Sequence, residues 1–374
     1  MRYRARALFL RAVAASAFSA RSKTSSLTMS AAGPPLGVVL GLNGAYQRLV
    51  QFDKPLTIGA VNRATEASAG VGGKGQGAYL ACEAASPGAA VLAQFCGKGQ
   101  NGEALATALR ARAPAVSEQL WVRTAEDTRV CTTLVAAGDA TEIVEPSGHV
   151  APDEVSALRD ALEARRFGGL LVAGSLPPGV PGSFYARCVA TLAPRAKVLV
   201  DAVAGLEEIV AEARSAGAVL CLKLNARELL GVAGDALDAA AADTVADGPR
   251  AARAAAKLAA HLDAPKATLA AILWTDGPAP GGAYVPKTEG IYAIAGPPLP
   301  APVRSPIGAG DTVAGTTFAA WLSDDGAADD VPAPVRAFAY GLARGAASCL
   351  TDENARFDET VAHEIWEDTV VTKM

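Results

Sequence analysis

Six short apolar runs punctuate the chain, each carrying a glycine, asparagine, aspartate or serine at or near its end: LGVVLGLN (36–43), AVLAQFCG (90–97), GLLVAGSL (169–176), AKVLVDAV (196–203), AVLCLKLN (218–225) and LAAILWTDG (269–277). Runs of this length bounded by turn residues read as strands buried on both faces. Alanine-rich stretches with apolar residues at helical spacing separate them. This alternation predicts an α/β protein with a mostly parallel sheet covered on both sides, whose ligands bind at the carboxyl ends of the strands, where the polar residues gather. Segments 45–69 and 119–147 read differently, with β-branched, alternating pieces such as QLWVRTAEDTRVCTTLVAAG. They predict a small antiparallel sheet beside the main one, and a lid is its natural use. The low-complexity stretch 233–264 reads as a surface insertion followed by a helix.

SPIGAGDTVAGTTFAAWL (305–322) turns from glycine loop to helix within a few residues. Gly308-Ala309-Gly310 breaks regular structure, whereas Ala314, Phe318, Ala319 and Leu322 recur at helical spacing. Asp311 therefore stands at a helix N-terminus. An acid there serves either as a cap, worth about 1 kcal/mol, or as a chemical group, and Thr312 is available for the first task.

Composition narrows the picture. Of the 374 residues, 51% are hydrophobic and only 5% aromatic, so the core is aliphatic, which suits helices packed on a sheet. No uninterrupted apolar run reaches the length of about 18 residues that a membrane span needs, so no membrane partner is expected. The first thirty residues hold Arg2, Arg4, Arg6, Arg11, Arg21 and Lys23 and no acid, amid much Ala and Ser. That is the composition of a transit peptide, and AASAFSAR (14–21) resembles the cleavage region of bipartite plastid presequences. The expected location is a plastid or other organelle; the alternative is a cytoplasmic protein starting at Met29. Without the leader the chain carries 28 basic and 38 acidic residues, a formal charge of −10 and a poor match to nucleic acid. The six cysteines form no CxxC pair and the three histidines lie far apart, so neither a disulfide framework nor a zinc site is suggested.

No standard nucleotide motif is present. GVGGKGQG (70–77) has Gly75 where a P-loop needs Ser or Thr, and GAGDTV does not complete GxGxxG. The specificity lies in a combination: GGKGQGAYLA (72–81), TRVCTTL (128–134), GSLPPGV (174–180), KLNARELLGVAG (223–234), WTDGPAPGGAY (274–284) and GAGDTVAGTTFA (308–319). In this order and near this spacing, the set resembles the ribokinase-like (PfkB) sugar kinases over residues 36–360. GSLPPG and GGKG look most like the branch of 1-phosphofructokinase and tagatose-6-phosphate kinase. The resemblance implies a three-layer α/β/α ribokinase-like fold with a small β-sheet lid, and ATP and Mg²⁺ as cofactors; residues 361–374 beyond it read as a C-terminal tail, and a homodimer through the lid is a possible assembly.

It also implies residue roles. Asp311 would be the general base, with the backbone N–H groups from Gly308, Ala309 and Gly310 to Asp311 forming an anion hole. Asn225 and Glu228 would organise Mg²⁺, although a capping box uses the same spacing; Asp201 would reach the metal through water. Lys223 would lie near the transferred phosphate, and Thr275, Gly277 and Gly282 in a nucleotide-side turn. Asn43, Gly72, Gly73, Lys74, Arg129 and Ser175 would form the acceptor site, with Lys74, Arg129 and Ser175 holding a sugar phosphate. Two positions depart from the family pattern. Gln47 stands in place of an aspartate that bonds sugar hydroxyls, and Gly77 in place of the asparagine of GGKGxN. The reading is therefore an ATP-dependent kinase of a hydroxymethyl group, on a ketohexose phosphate. A kinase of an unphosphorylated sugar or nucleoside is the second reading, and a non-catalytic scaffold subunit the third.

Overall fold

The computed structural model describes residues 36–136, 139–234, 247–262, 268–324 and 330–374. The leader, and residues 235–246 of the expected insertion, lie outside the described residues. All six apolar runs form strands of one sheet: β1 Gly37–Leu40, β4 Ala90–Gly97, β8 Gly169–Ala173, β9 Lys197–Asp201, β10 Val219–Asn225 and β11 Leu269–Asp276. The other strands are β2 Ala45–Phe52, β3 Glu66–Gly72, β5 Trp121–Thr124, β6 Val130–Ala136, β7 Asp139–Val144, β12 Ala279–Val285, β13 Gly290–Ala295 and β14 Val370–Lys373. The main sheet runs β14-β13-β12-β11-β10-β9-β8-β1-β4-β5. It is parallel from β11 to β5 and antiparallel from β12 to β14.

Alternate side chains leave a strand on opposite faces. Val38 and Leu40 accordingly enter one core, which packs helices α3 Pro152–Glu163, α4 Phe184–Leu192, α5 Leu206–Ala216, α6 Ala226–Val232 and α7 Gly248–His261. Val39 enters the other core, with α1 Lys74–Ala85, α2 Gln100–Arg112, α8 Ala309–Ser323 and α9 Ala333–Ser348. The result is the expected three-layer α/β/α fold. Small residues seat α1 tightly between its neighbours: a Cβ on Gly75 would lie 2.1 Å from Gly41 Cα, and one on Gly315 of α8 would lie 1.9 Å from Ala78 O.

Three expectations change. The small sheet has the order β3-β2-β6-β7, but β2 and β6 run parallel, so it is mixed rather than antiparallel. Trp121–Thr124, assigned to the lid from sequence, instead pairs with β4 at the edge of the main sheet, where Trp121 is buried. Residues 361–374 are not a loose tail: helix α10 Glu359–Glu367 buries Ala362 and Ile365, and β14 extends the sheet against β13. Among the described residues no helix is long and apolar enough to cross a membrane.

Candidate active site

Chain order runs outward from β1 in one direction through β4 and β5 and in the other through β8 to β11, so the sheet reverses between β1 and β8. A crevice opens at the carboxyl ends of strands at such a point. Asn43 follows β1, Ser175 follows β8, Asp201 ends β9, Asn225 ends β10 and Thr275 lies one residue from the end of β11, opposite Asn225.

A line of alternating charge crosses this edge. Lys223 Nζ donates to Asp201 Oδ2 at 2.8 Å, and both side chains are buried. Lys74 Nζ lies 3.3 Å from Asp201 Oδ1 and 3.2 Å from Glu228 Oε1. Burial by itself would raise the Asp201 pKa, but Lys223 and Lys74 outweigh it and hold the carboxyl below its ordinary value. Burial would likewise lower Lys74, yet Asp201, Glu228 and Asp311 together raise it, so its ammonium stays charged.

Three expected site positions have their geometry here. Lys74 opens α1 and pairs with Asp201 at the end of β9 and with Glu228, because two carboxylates attract it there. Asn225 Oδ1 accepts the Glu228 N–H at 2.7 Å and Glu228 Oε2 accepts the Asn225 N–H at 2.9 Å. The spacing that suggested two metal-facing groups thus builds a capping box, in which Asn225 frames Glu228 and leaves only Oε1 of the acid turned toward Lys74. Gly282 is not in a turn: it stands inside β12 paired with Trp274, and a Cβ there would lie 2.1 Å from the indole. Gly277 does occupy the β11–β12 turn, with φ of 56°.

At the head of α8 the N-cap is Gly308, with φ of 75° and no side-chain cap. That left-handed conformation favours glycine. Asp311 is the third helical residue, and Thr312 Oγ1 donates backward to Gly308 O at 2.9 Å, so neither side chain caps the helix. Of the expected anion-hole donors, the Ala309 N–H bonds Pro306 O at 3.3 Å. First-turn N–H groups have no intrahelical acceptor and carry the positive end of the helix dipole. A Cβ on Gly310 would lie 3.5 Å from Lys223 Nζ, which places that ammonium beside the helix start. Burial and the Asp201 charge, opposed by Lys74 and Lys223, push the Asp311 carboxyl up to about 7.

Two of the residues expected at the acceptor site, Ser175 and Arg129, meet through Asn43. Its Nδ2 donates to Ser175 Oγ at 2.9 Å, its Oδ1 accepts from Ser147 Oγ at 2.8 Å, and its carbonyl accepts from an Arg129 Nη2 at 3.2 Å. Arg129 Nε is buried with no protein partner. A small cleft opens here, lined by Asn43, Phe95, Thr128, Arg129 and Ser147 among others. Sequence reasoning did not single out Ser147; the stretch EPSG at the end of the second lid segment is its one signal. Gln47 Nε2 donates to Thr133 Oγ1 on β6 at 2.8 Å, while Gln47 Oε1 lies 2.9 Å from where a Cβ of Gly72 would stand. Gly73, the N-cap of α1 at φ of 97°, similarly makes room for Gln76.

The profile of the pfkB family carbohydrate kinases matches residues 45–351. A search of curated proteins finds no significant match to the chain. Among solved structures, the chain resembles phosphofructokinase-2 from Escherichia coli in complex with fructose-6-phosphate, at 20% identity and a TM-score of 0.68, covering 89% of this chain and 98% of that one. It also resembles a possible 1-phosphofructokinase from Thermotoga maritima, at 17% identity and a TM-score of 0.63, over 91% and 99% of the two chains. Ribokinase from the same organism gives 17% identity and a TM-score of 0.63 over 88% and 98%.

Proposed function

The chain belongs to the pfkB family of carbohydrate kinases, and on that premise we propose that it transfers the γ-phosphoryl group of ATP to a hydroxymethyl group of a ketohexose phosphate, with Asp311 as general base. The observation that carries this reading is the Asp311 carboxyl, raised to about 7 at the N-terminal turn of α8 and flanked by Lys74 and Lys223. A base works best with a pKa near the working pH. As the sugar oxygen forms its bond to phosphorus and the bond to ADP breaks, the hydroxyl proton passes to Asp311. The α8 N-terminus and Lys223 would stabilise negative charge on the transferring group.

The donor set fits magnesium carried by ATP. Asp201 Oδ1 and Glu228 Oε1 reach the same ammonium, at 3.3 and 3.2 Å. Among the described residues no group of three or more His, Cys, Asp or Glu side chains is arranged as a metal cage. Magnesium typically keeps several waters and takes one or two carboxylates plus substrate phosphates. Asp201 and Glu228 would hold it in that way, and it would neutralise charge on the phosphates.

On the acceptor side, the buried, partnerless Arg129 Nε beside the Asn43–Ser147–Ser175 group favours an anionic substrate, because a buried donor needs an acceptor. ATP consumption with fructose 6-phosphate, fructose 1-phosphate and tagatose 6-phosphate, against free fructose, ribose and adenosine, tests this. A sugar phosphate is expected to give the highest kcat/KM. Preference for a free sugar or nucleoside would move the assignment to the second class of acceptor, and no turnover with any of them would favour the scaffold reading.

A further inference from the structure

Gly77 and Gly308 come from distant parts of the sequence, on α1 and at the cap of α8, yet one side chain fills the space beside both. Asn354 Oδ1 lies 1.5 Å from where a Cβ of Gly308 would stand, and its Nδ2 lies 3.3 Å from the same point. That Nδ2 is also 3.5 Å from where a Cβ of Gly77 would stand, and the Asp311 carboxylate borders the same space, with Oδ2 at 3.0 Å and Cβ at 3.1 Å. The Asn354 amide is therefore a wedge between α1 and the glycine turn that carries Asp311.

The loop that delivers it is held from outside. Arg112 at the end of α2 donates to Asn354 O at 2.8 Å and to Ala355 O at 2.9 Å. Ala355 is buried and takes φ of 53°, a left-handed conformation unfavourable for a side-chain-bearing residue. Such strain persists only where the surroundings over-determine it, and it gathers at functional sites. Asn354 Nδ2 donates only a long bond to Val71 O, at 3.5 Å, and its Oδ1 is buried with no donor. A buried polar group so poorly satisfied is costly, and its presence in this place calls for an explanation other than stability.

We propose that Asn354 is a positioning residue for phosphoryl transfer: its amide locks the Gly308 turn in its left-handed conformation and fixes the approach of the Asp311 carboxylate across the gap above Gly77. Gly77, which has no side chain, leaves on α1 the room that the amide reaches from the C-terminal loop. This rests on the reading of Asp311 as the base.

The test compares Asn354→Ala, Asp311→Asn and the double variant Asn354→Ala/Gly77→Asn, with ATP and the best acceptor of the panel, and with water as acceptor if the panel gives none. Asn354→Ala is expected to lower kcat by about 10- to 100-fold, the range in which small misplacements of reacting groups act. KM for ATP should stay within about twofold, and the melting temperature should not fall, since a poorly satisfied polar group is removed. Supplying an amide from the other side of the gap in the double variant should recover kcat at least several-fold. Unchanged kcat in Asn354→Ala, with Asp311→Asn inactive, overturns the proposal and leaves the base assignment standing. A loss of kcat that accompanies a fall of several degrees in melting temperature, with no recovery in the double variant, also overturns it and makes Asn354 structural. Full turnover by Asp311→Asn would instead reject the base assignment itself.

Discussion

Burial and the nearby Asp201 carboxylate set the protonation of Asp311 against the pull of Lys74 and Lys223. Its pKa of about 7 in the folded chain stands above the ordinary carboxyl value near 3.9, so the folded state binds the proton more tightly than the unfolded state. Stability from this group therefore declines as pH rises from about 4 to about 7, and the penalty is complete above that range. Asp311→Asn removes it. The melting temperature of the variant relative to wild type should be higher at pH 8 than at pH 5, and equal differences at the two pH values would contradict the shift. In turnover the same group should give an acid limb, kcat/KM falling tenfold per pH unit below about 7. Arg129→Ala should raise KM for a sugar phosphate by roughly 10- to 100-fold, the worth of lost charge-assisted hydrogen bonds, while ATP binding stays constant. Equal KM values would remove Arg129 from the acceptor site. Asp311 was legible because a glycine loop runs straight into a helix. Ser147 and Asn354 were not, because serine and asparagine are ordinary loop residues until the fold sets them beside Asn43 and Gly308.

At the level of elements, the central parallel strands announced themselves as apolar runs buried on both faces. The antiparallel extension did not: APGGAYV and GIYAIA are interrupted by glycine or edged with half-buried residues, and β14 is four residues long. Trp121–Thr124 was assigned to the lid because its sequence alternates like the lid strands, and only its pairing with β4 separates them. The capping box at Asn225 and Glu228 shows why one spacing supports two readings. The same i, i+3 geometry that satisfies the start of α6 turns Glu228 Oε1 toward Lys74. Asn225→Ala should therefore cost about 1 kcal/mol of stability, as N-cap losses do, and raise the magnesium concentration needed for half-maximal activity by loosening Glu228. A stability loss with no change in magnesium dependence would confine Asn225 to capping. The contact between α1 and α8 is testable by Gly315→Ala. Its new Cβ would meet Ala78 O at 1.9 Å, and overpacking of this kind costs about 1–3 kcal/mol by denaturant unfolding. An unchanged midpoint would show that the helices separate freely.

For the whole molecule, the small sheet leaves Ile143 and Val144 half-exposed on its edge strand β7, and Ile58 and Val61 exposed in the connection between β2 and β3. Unpaired apolar edges invite pairing with another chain. We propose a homodimer through this lid, which Ile143→Lys/Val144→Lys should convert to monomer in sedimentation; a monomeric wild type would exclude it. We also propose that residues 1–35 address the protein to an organelle, and a fluorescent fusion of that segment that stays in the cytoplasm would return the start to Met29. Both proposals concern where and in what assembly the enzyme works, whereas the proposed chemistry rests on one carboxylate. The most direct measurement is the turnover of Asp311→Asn with ATP and the best acceptor, both saturating. Asparagine keeps the size of aspartate but cannot take the hydroxyl proton, so kcat should fall by at least about 10²-fold with the fold intact. A variant that turns over at the wild-type rate would contradict the mechanism, whatever sugar it phosphorylates.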